Sequence, residues 1–543
     1  MTDPVTVAVL QNRLSAIVEE MGEAMLRTAY SQILNSSRDF SIALIDSQAR
    51  LIAQADHIPI HVGAMPWAAK AVIAAFPVVT PGDVFLLNDP YAGGSHLPDL
   101  TAFVPVFDGT RLLFWSVVRA HVSDIGGATH GGYNAAATEI WHEGLRVPPI
   151  RLTEAGALRE DLITMLAANT RNPRDFRGDL AAMIGAARLG EQRLEAVRRE
   201  FGADLLLQAV DDILDAAERH ARAIVSTWRD GVYEGTALLD DDGHGAVDIA
   251  IRARVTKRGS DVTVDLSASD PQVLGFVNSS HANMQSAVAM AFAFLLDPDV
   301  ARNEGALRPL TIVAKPGTIV WANEGAAVTM CTSHCSNEIA EAIVVALSGA
   351  CPERVMGGWG RRFRIAIDGV HPATGRRFIW HMFQARPGGG ASSGGDGWDG
   401  AGEWHSVGGI KFGSIEVAEL RFPLLFEEHE FRPGSSGDGE YRGGTGGTLR
   451  LRIETAAAAR ANTAGDGARH GARGMRGGGD GAPHLYTLHA PGAAPRVLRT
   501  KETGIPLPSG SVLHVLSGGG GGWGDPAARA AAARDDDAAE GMA

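Results

Sequence analysis

The chain has 543 residues, of which 45% are hydrophobic and 21% are charged, and its formal net charge is -14. Single hydrophobic cores stop growing at roughly 250–300 residues, so we expect a soluble protein with more than one domain. The acidic balance argues against a nucleic-acid or anionic-membrane partner, because both of these need a basic face.

The cysteine content is low and odd, with thiols at Cys331, Cys335 and Cys351 alone. This pattern does not describe a disulfide scaffold and is typical of a reducing compartment. Cys331 and Cys335 could form half of a zinc site, but no second pair with ligand spacing follows, so buried structural thiols are the favoured interpretation. Neither a secretory signal nor an apolar run of about 18–20 residues is present, and we therefore expect a cytoplasmic protein.

The first part of the chain predicts one long helix followed by strands. Apolar residues recur at helical spacing over residues 5–30, which indicates an amphipathic helix. The dipeptide Asp108-Gly109 separates two apolar runs and predicts a hairpin turn. The strands are predicted at 41–45, 84–87, 103–107 and 112–118.

Farther along, long periodic segments predict helices around 160–230, and alternating runs after residue 235 predict strands again. From residue 387 glycine becomes dense, which indicates loops with positive φ or close backbone approach. The predicted fold class is mixed α/β (α+β), multi-domain and strand-rich, with helical segments around 160–230. The predicted regions are an N-terminal α/β region with metal-site loops (1–158), a helical region (159–234), a central α/β region (235–454) and a Gly-rich C-terminal region with a disordered tail (455–543).

The first of two polar clusters follows the predicted strand at 84–87. Residues 88–99 are Asn-Asp-Pro-Tyr-Ala-Gly-Gly-Ser-His-Leu-Pro-Asp, so Asp89, His96 and Asp99 lie in one loop. The glycines of this loop allow a backbone to approach a ligand closely.

The second cluster follows the predicted strand at 112–118 and also contains glycines. It comprises Arg119, His121, Asp124 and His130. Histidine with carboxylate is a ligand set suited to zinc, manganese or iron. The two loops therefore predict one shared metal site, and Asp39, at the start of another strand, could supply a further carboxylate.

Each of these residues also has a purely structural interpretation. An aspartate in an Asn-Asp-Pro turn often caps the local backbone, and a histidine in a Gly-rich loop is often only hydrogen-bonded. The segment 139–143 could contact the site or form a solvated turn. Residues 398–405 could line a cavity, and His57 and His61 could form a pocket edge or be satisfied buried histidines.

Several nucleotide and nucleophile motifs are absent. The sequence contains no Gly-x-x-x-x-Gly-Lys-Ser/Thr loop, no dinucleotide fingerprint after a strand and no nucleophile elbow. If the reaction consumes ATP, another chain must bind the nucleotide.

These motifs resemble the hydantoinase B/oxoprolinase family. The resemblance is carried first by residues 88–101 and by Arg-Ala-His-Val-Ser-Asp-Ile-Gly-Gly at 119–127. Residues 303–309, 442–447 and 518–526 extend it over nearly the whole chain.

The resemblance implies a partner, a hydantoinase A-like ATPase subunit of the actin-like type, which phosphorylates a carbonyl oxygen at the expense of ATP. Family members open hydantoins, 5-oxoproline or lactams, and relatives carboxylate acetone or acetophenone. In metal-bearing members the ion lies in the B-type subunit. The matching ligands here are Asp39, His96, His121 and Asp124.

The expected reaction is hydrolysis of a small cyclic amide or imide by a metal-activated water. Asp89 or Asp99 would orient that water or accept its proton. Arg119, His130 and Glu139 are the candidate substrate contacts.

One departure bears on the choice of reaction. The pattern of the ketone carboxylases has a further histidine two positions before His121, where this chain has Arg119. The difference favours the amide-hydrolysing branch. Two alternatives stay open: a subunit of an ATP-dependent ketone carboxylase, and a non-catalytic scaffold half whose metal only holds loops together.

Overall fold

The computed structural model describes residues 2–55, 57–407 and 409–542, and it confirms the predicted mixed α/β, multi-domain class. The helices are α1 (Pro4–Thr28), α2 (Gln32–Asn35), α3 (Pro59–Val62), α4 (Met65–Ala75), α5 (Ile140–Glu143), α6 (Glu160–Ala168), α7 (Pro173–Phe201), α8 (Ala203–Val225), α9 (His281–Phe294), α10 (Glu304–Leu307), α11 (Cys335–Leu347), α12 (Ile415–Arg421) and α13 (Ala531–Ala539). Short 3-10 helices lie at Pro90–Ala92, His130–Gly132 and Pro526–Ala528.

The strands form separate N-terminal, central and C-terminal sheets. They are β1 (Phe40–Asp46), β2 (Leu51–Ala55), β3 (Val84–Leu87), β4 (Asp99–Asp108), β5 (Arg111–His121), β6 (Ile150–Glu154), β7 (Ala157–Leu158), β8 (Gly231–Asp241), β9 (Val247–Arg258), β10 (Asp261–Asp265), β11 (Leu310–Val313), β12 (Phe363–Val370), β13 (Arg377–His381), β14 (Leu424–Arg432), β15 (Gly446–Ile453), β16 (Ala459–Gly465), β17 (Leu485–His489), β18 (Arg496–Val497), β19 (Lys501–Leu507) and β20 (Val512–Leu516).

The N-terminal sheet carries the candidate site. It is antiparallel and has seven strands in the order β2-β1-β5-β4-β3-β6-β7. The predicted hairpin is confirmed: Asp108 pairs with Arg111, and Gly109 has a φ of +60°. Glycine reaches this left-handed conformation without the steric cost that other residues pay.

Both faces of the N-terminal sheet are covered, which explains its nearly continuous apolar strands. Phe40 and Ile42 lie in the large core that the sheet shares with α1 and α7. Ala43 and Ile45 belong to a separate core with α4. Because side chains alternate along a strand, the odd-numbered positions of β1 face α3 and α4.

The helical region matches the prediction closely. α1 begins at Pro4, and the side chain of Asp3 caps it by accepting a hydrogen bond from the backbone N–H of Thr6. α6, α7 and α8 occupy the predicted helical stretch, and α7 packs against α1, β4 and β5. Among the described residues, no helix combines the length and the apolar character needed to cross a membrane.

The central sheet has the order β11-β10-β9-β8, in which β10 and β11 are parallel and the other pairs are antiparallel. α11 packs on β8 and β9 and against α9. This arrangement brings the segment before α11 next to the N-terminal sheet, where it contacts the site described below.

Two further sheets enclose a second core near the C-terminus, with orders β13-β12-β16-β19 and β14-β15-β20-β17-β18. β12 pairs with β16, and β15 pairs with β20. Residues on both sides of the predicted 454/455 boundary therefore share the same sheets.

The glycine-dense segments pack backbone against backbone, as the composition predicted. A Cβ atom on Gly388 would lie 1.8 Å from the carbonyl oxygen of Gly444, and one on Gly520 would lie 1.9 Å from that of Gly389. No side chain fits at such distances. These glycines are required by close approach and do not form a flexible linker.

The last residues differ from the predicted disordered tail. α13 is held against the body of the protein by Asp537, which pairs with Arg442 at 2.8 Å and with Arg529 at 2.7 Å. Arg442 is distant along the chain, in a glycine-rich segment, and Arg529 lies just before the helix. The composition of the tail alone therefore does not indicate that it is anchored.

Candidate metal centre

The site begins as a row of side chains across three neighbouring strands. The sheet register places Asp99 at the start of β4 opposite His121 at the end of β5. On the other side of β5, the backbone N–H of His121 donates to the carbonyl oxygen of Asp39 at 3.0 Å. Both carboxylates therefore flank one imidazole on the face of the sheet that α3 and α4 cover.

His96 completes a tight group because its loop returns to the start of β4. Its Nε2 atom lies 2.8 Å from Oδ1 of Asp99. The Nδ1 atom of His121 lies 3.2 Å from the same oxygen and 3.2 Å from His96 Nε2. These three side chains, called the metal-ligand group below, are all buried and could bind a metal ion.

The spacing and chemistry of the group fit a first-row divalent ion. Nitrogen and oxygen ligands about 2.0–2.2 Å from one ion lie roughly 3–3.5 Å from each other, close to the separations above. Two imidazoles and a carboxylate suit zinc, manganese or iron. In addition, His121 Nε2 and Asp39 Oδ2 are buried without a hydrogen-bond partner among the described residues.

Neighbouring groups fix the orientation of the ligands. Nδ1 of His96 donates to the carbonyl oxygen of Thr329 at 2.5 Å, so the lone pair of its ring is on Nε2, facing Asp99. Ser95 donates its hydroxyl proton to Oδ2 of Asp99 at 2.6 Å. Such contacts behind the ligands hold them in place and tune their basicity.

His61, from α3, closes the row on the side opposite the sheet. Its Nε2 atom lies 3.6 Å from Oδ1 of Asp39 and 3.5 Å from Oδ2 of Asp99. α3 itself is held by Arg119, whose Nη1 donates to the carbonyl oxygen of His61 at 3.0 Å. His61 is therefore a buried histidine next to both carboxylates.

The electrostatics favour ionised carboxylates next to imidazoles. Burial alone would raise the pKa of Asp99, but the neighbouring His96 and His61 hold that pKa well below its usual range. Burial lowers the pKa of His61 to about 4, so its ring is neutral at pH 7. For His96, burial lowers the pKa but the contact with Asp99 outweighs it, and the net direction is upward.

Two predicted site aspartates are not part of this group. Asp124 pairs with Arg171, whose Nη1 lies 3.0 Å from Oδ1 and whose backbone N–H donates to Oδ2 at 2.8 Å. Asp89 caps its own turn by accepting from the N–H of Tyr91, and it pairs with Arg146 at 2.8 Å.

The three predicted substrate contacts occupy different environments. Arg119 is buried beside the group, and its Nε donates to Thr101 at 2.8 Å. His130 is also buried, but its Nε2 lies 3.1 Å from the carbonyl oxygen of Ala366. Glu139 lies on the surface and pairs with His142 at 3.2 Å, away from the buried group.

Other residues reach the site from distant parts of the chain. Arg362 and Arg364, at the start of β12, approach it from the C-terminal half, and Arg364 Nη2 lies 4.0 Å from Oδ2 of Asp39. Glu403 and His405, from the segment suggested to line a cavity, contact Arg362. No sequence signal pointed to the two arginines, since neither lies in a motif.

All three cysteines are buried and free, and none belongs to the metal-ligand group. The thiol of Cys331 lies 3.4 Å from the carbonyl oxygen of Ser95, and that of Cys335 lies 3.6 Å from the carbonyl oxygen of Ile319. These contacts agree with the interpretation of structural thiols.

Comparison with known proteins gives consistent matches over most of the chain. The family model described as hydantoinase B/oxoprolinase matches residues 3–526. Caprolactamase subunit beta of Pseudomonas jessenii is 37% identical over 453 residues, which make up 83% of this chain and 78% of that protein. The crystal structure of the ATP-dependent caprolactamase from Pseudomonas jessenii matches with a TM-score of 0.93 at 34% identity, over 100% of this chain and 94% of that chain.

A nucleotide-free structure of acetone carboxylase has the same fold. Its TM-score is 0.90 at 20% identity, over 99% of this chain and 78% of that chain. The family assignment rests instead on the match to the family model and on the identity to the caprolactamase subunit. This chain belongs to the hydantoinase B/oxoprolinase family.

Proposed function

We propose that this chain is the B-type subunit of an ATP-dependent complex that hydrolyses a cyclic amide, and that its metal-ligand group holds a divalent ion at the reaction site. The observation that carries the proposal is the buried arrangement of His96, Asp99 and His121, with spacings that suit one ion. The relative named caprolactamase subunit beta supports a cyclic amide as the substrate class.

The metal ion would be zinc, manganese or iron, which the mixed nitrogen and oxygen donors suit. His96 Nε2, His121 Nδ1 and a carboxylate oxygen of Asp99 would hold it, and Asp39, whose backbone pairs with that of His121, offers an additional carboxylate. When bound, the ion would supply Lewis-acid chemistry, which makes water a nucleophile at neutral pH.

The protein's own side chains would orient the reactants. If Nδ1 of His121 is the ligand atom, its proton is on Nε2, which has no acceptor among the described residues. This N–H can donate to an oxygen of the substrate. Oδ2 of Asp39, also unpartnered and buried, can accept a hydrogen bond from the attacking water and direct its lone pair. Asp39 replaces Asp89 in this role, because Arg146 already pairs with Asp89.

The site supports hydrolysis only of an activated substrate. A ring amide is a poor electrophile because its nitrogen donates into the carbonyl group. The sequence has no nucleotide-binding loop, so phosphorylation of the carbonyl oxygen falls to a hydantoinase A-like ATPase subunit. Such a partner is supported by the relative from Pseudomonas jessenii, which is named as a subunit beta and whose caprolactamase is described as ATP-dependent.

The test is hydrolysis of a panel of hydantoins, 5-oxoproline and lactams by the complex of this chain with its A-type subunit. We expect ring opening that requires ATP and is abolished by His121→Ala, while His470→Ala, a substitution of a histidine that pairs with Asp248 on β9, retains most of the activity. Full activity of the His121→Ala complex would overturn the assigned role of the group.

Bicarbonate separates hydrolysis from the carboxylase alternative. Hydrolysis requires no bicarbonate, so ATP turnover with a cyclic amide should be unchanged when bicarbonate is removed. ATP turnover that depends on bicarbonate and a ketone would instead favour a carboxylase.

A further inference from the structure

Two buried guanidinium groups face the metal-ligand group from the C-terminal half of the chain. Arg364 is the second residue of β12 and Arg362 directly precedes the strand, where its carbonyl oxygen accepts from the backbone N–H of Asp466 at 2.9 Å. The two side chains, two positions apart, therefore share one face. Phe363 points to the opposite face, where its ring stacks on Tyr486 with centroids 3.9 Å apart. Both arginines are buried, with 4% and 5% relative exposure.

Arg364 makes no close ion pair with any residue that the structure describes. Its Nη2 lies 4.0 Å from Oδ2 of Asp39, and neither Nε of Arg364 nor that oxygen has a hydrogen-bond partner among the described residues. Its Nη1 donates to the hydroxyl of Tyr133 at 2.8 Å. The guanidinium group is therefore held in place by a neutral residue and still has a free donor.

Nearby aspartates show what a structural ion pair looks like in this protein. Asp89 lies 2.8 Å from Arg146, and Asp124 lies 3.0 Å from Arg171. Charge-assisted hydrogen bonds normally have such lengths. The charged atoms of Asp39 and Arg364 are about an ångström farther apart than in these pairs. This indicates that the two side chains are not directly paired and that both can contact a third group.

The guanidinium group of Arg362, unlike that of Arg364, is paired with a carboxylate. Its Nη1 lies 3.3 Å from Oε2 of Glu403 and 3.3 Å from Nε2 of His405. The ring of Phe383 lies 5.0 Å from the guanidinium carbon of Arg362 and 5.5 Å from that of Arg364. Both guanidinium groups therefore lie near the same aromatic ring.

With a divalent ion bound, positive charges around the site would outnumber negative ones. Asp39 and Asp99 supply two negative charges, and Arg119 and Arg364 supply two positive charges. Glu403 compensates Arg362. A divalent ion would then leave an excess of positive charge in a buried space, and a buried excess charge requires a counter-charge.

We propose that Arg364, held by Tyr133 and assisted by Arg362, forms a subsite that binds an oxyanion of the substrate beside the metal-ligand group. This inference rests on the proposed function and adds the chemical class of the ligand. The oxyanion can be a phosphoryl group on an activated substrate or a carboxylate that the substrate carries. A guanidinium group recognises both through paired N–H donors.

The test is calorimetric titration of the metal-loaded full chain with inorganic phosphate and, separately, with acetate, at fixed ionic strength. The variants are Arg364→Gln and, as a matched control, Arg377→Gln. Arg377 lies on neighbouring β13, where its side chain is 46% exposed and pairs with Asp368 at 2.6 Å. Metal content and the circular dichroism spectrum are recorded for every sample.

We expect at least one of the two anions to bind the wild type, and the anion that binds identifies the source of the oxyanion. Arg364→Gln should weaken its affinity by about tenfold or more, because a charge-assisted contact is lost, while Arg377→Gln leaves it within about twofold. If Arg364→Gln does not fold, Tyr133→Phe takes its place. It removes only the hydroxyl that holds Arg364 and should weaken binding by about threefold.

Two results would overturn the subsite: no binding of either anion to the metal-loaded wild type, or equal binding to the wild type and the folded variant. Either result leaves the proposed function standing if the complex still opens a cyclic amide. Absence of metal from the wild type would instead remove the proposed function, and the two failures are therefore distinguishable.

Discussion

The carbonyl oxygen of Thr329 lies 2.5 Å from Nδ1 of His96, although 233 positions separate the two residues. The backbone of this segment is itself held by Glu143, whose carboxylate oxygens accept the N–H groups of Val328 at 2.9 Å and Thr329 at 2.8 Å. A buried carboxylate thus positions the carbonyl group that fixes the tautomer of a proposed metal ligand. The sequence placed Glu143 in a segment that could contact the site or form a solvated turn, and did not decide between the two.

Glu143 should make stability depend on pH. Burial raises its pKa to about 7 from its ordinary value of 4.5. Because this pKa is higher in the folded than in the unfolded state, the protonated carboxyl stabilises the folded state. Its contribution to the free energy of unfolding is fully present below about pH 4.5 and is lost as the pH rises through about 7. The total loss is on the order of 3 kcal/mol. The melting temperature of the wild type should therefore fall relative to that of Glu143→Gln between pH 5 and 8. A constant difference across this range would contradict the assignment, and the exposed Glu139→Gln serves as the control.

Asp124 and Asp99 should respond differently to the same substitution. Asp124→Asn breaks the pair with Arg171, and we expect a loss of about 2–4 kcal/mol of stability with the metal retained. Asp99→Asn replaces a negatively charged ligand oxygen with the weaker, neutral oxygen of an amide, and we expect the metal to be lost. Elemental analysis and thermal unfolding of both variants distinguish these outcomes. Loss of metal from Asp124→Asn would restore Asp124 to the ligand set.

The glycine-dense region should tolerate no side chain at its contact points. A Cβ atom on Gly520 would lie 1.9 Å from a carbonyl oxygen, so Gly520→Ala must displace backbone and should strongly lower the melting temperature or prevent folding. Gly185, within α7, has nothing within 4 Å of the corresponding position. Gly185→Ala should raise stability by up to about 1 kcal/mol, because glycine is unfavourable inside a helix. Equal melting temperatures for the two variants would refute the packing account.

Local patterns were sufficient to predict many of the elements. The alternation and the turn dipeptide identified the β4–β5 hairpin, and the glycine loops after two strands identified His96 and His121. These signals are local because periodicity and turn chemistry depend on neighbouring residues. The register that sets Asp99 beside His121 follows from the same hairpin, yet the sequence interpretation assigned Asp99 to proton transfer and not to the ligand atoms.

What the sequence could not provide are contacts between distant segments. Arg171, which pairs with Asp124, lies 47 positions away from it. Arg364 reaches Tyr133 across 231 positions. The anchoring of α13 by Arg442 has the same origin. Such pairs depend on tertiary packing, which leaves no periodic or compositional signal in one sequence.

Metal content is the most direct test of the central claim. Elemental analysis should find near-stoichiometric zinc, manganese or iron in the purified wild type and in His470→Ala, and little in His121→Ala. All three proteins should have the same circular dichroism spectrum. Absence of metal from the wild type, or its full retention in His121→Ala, would contradict the account and favour a scaffold role for this subunit.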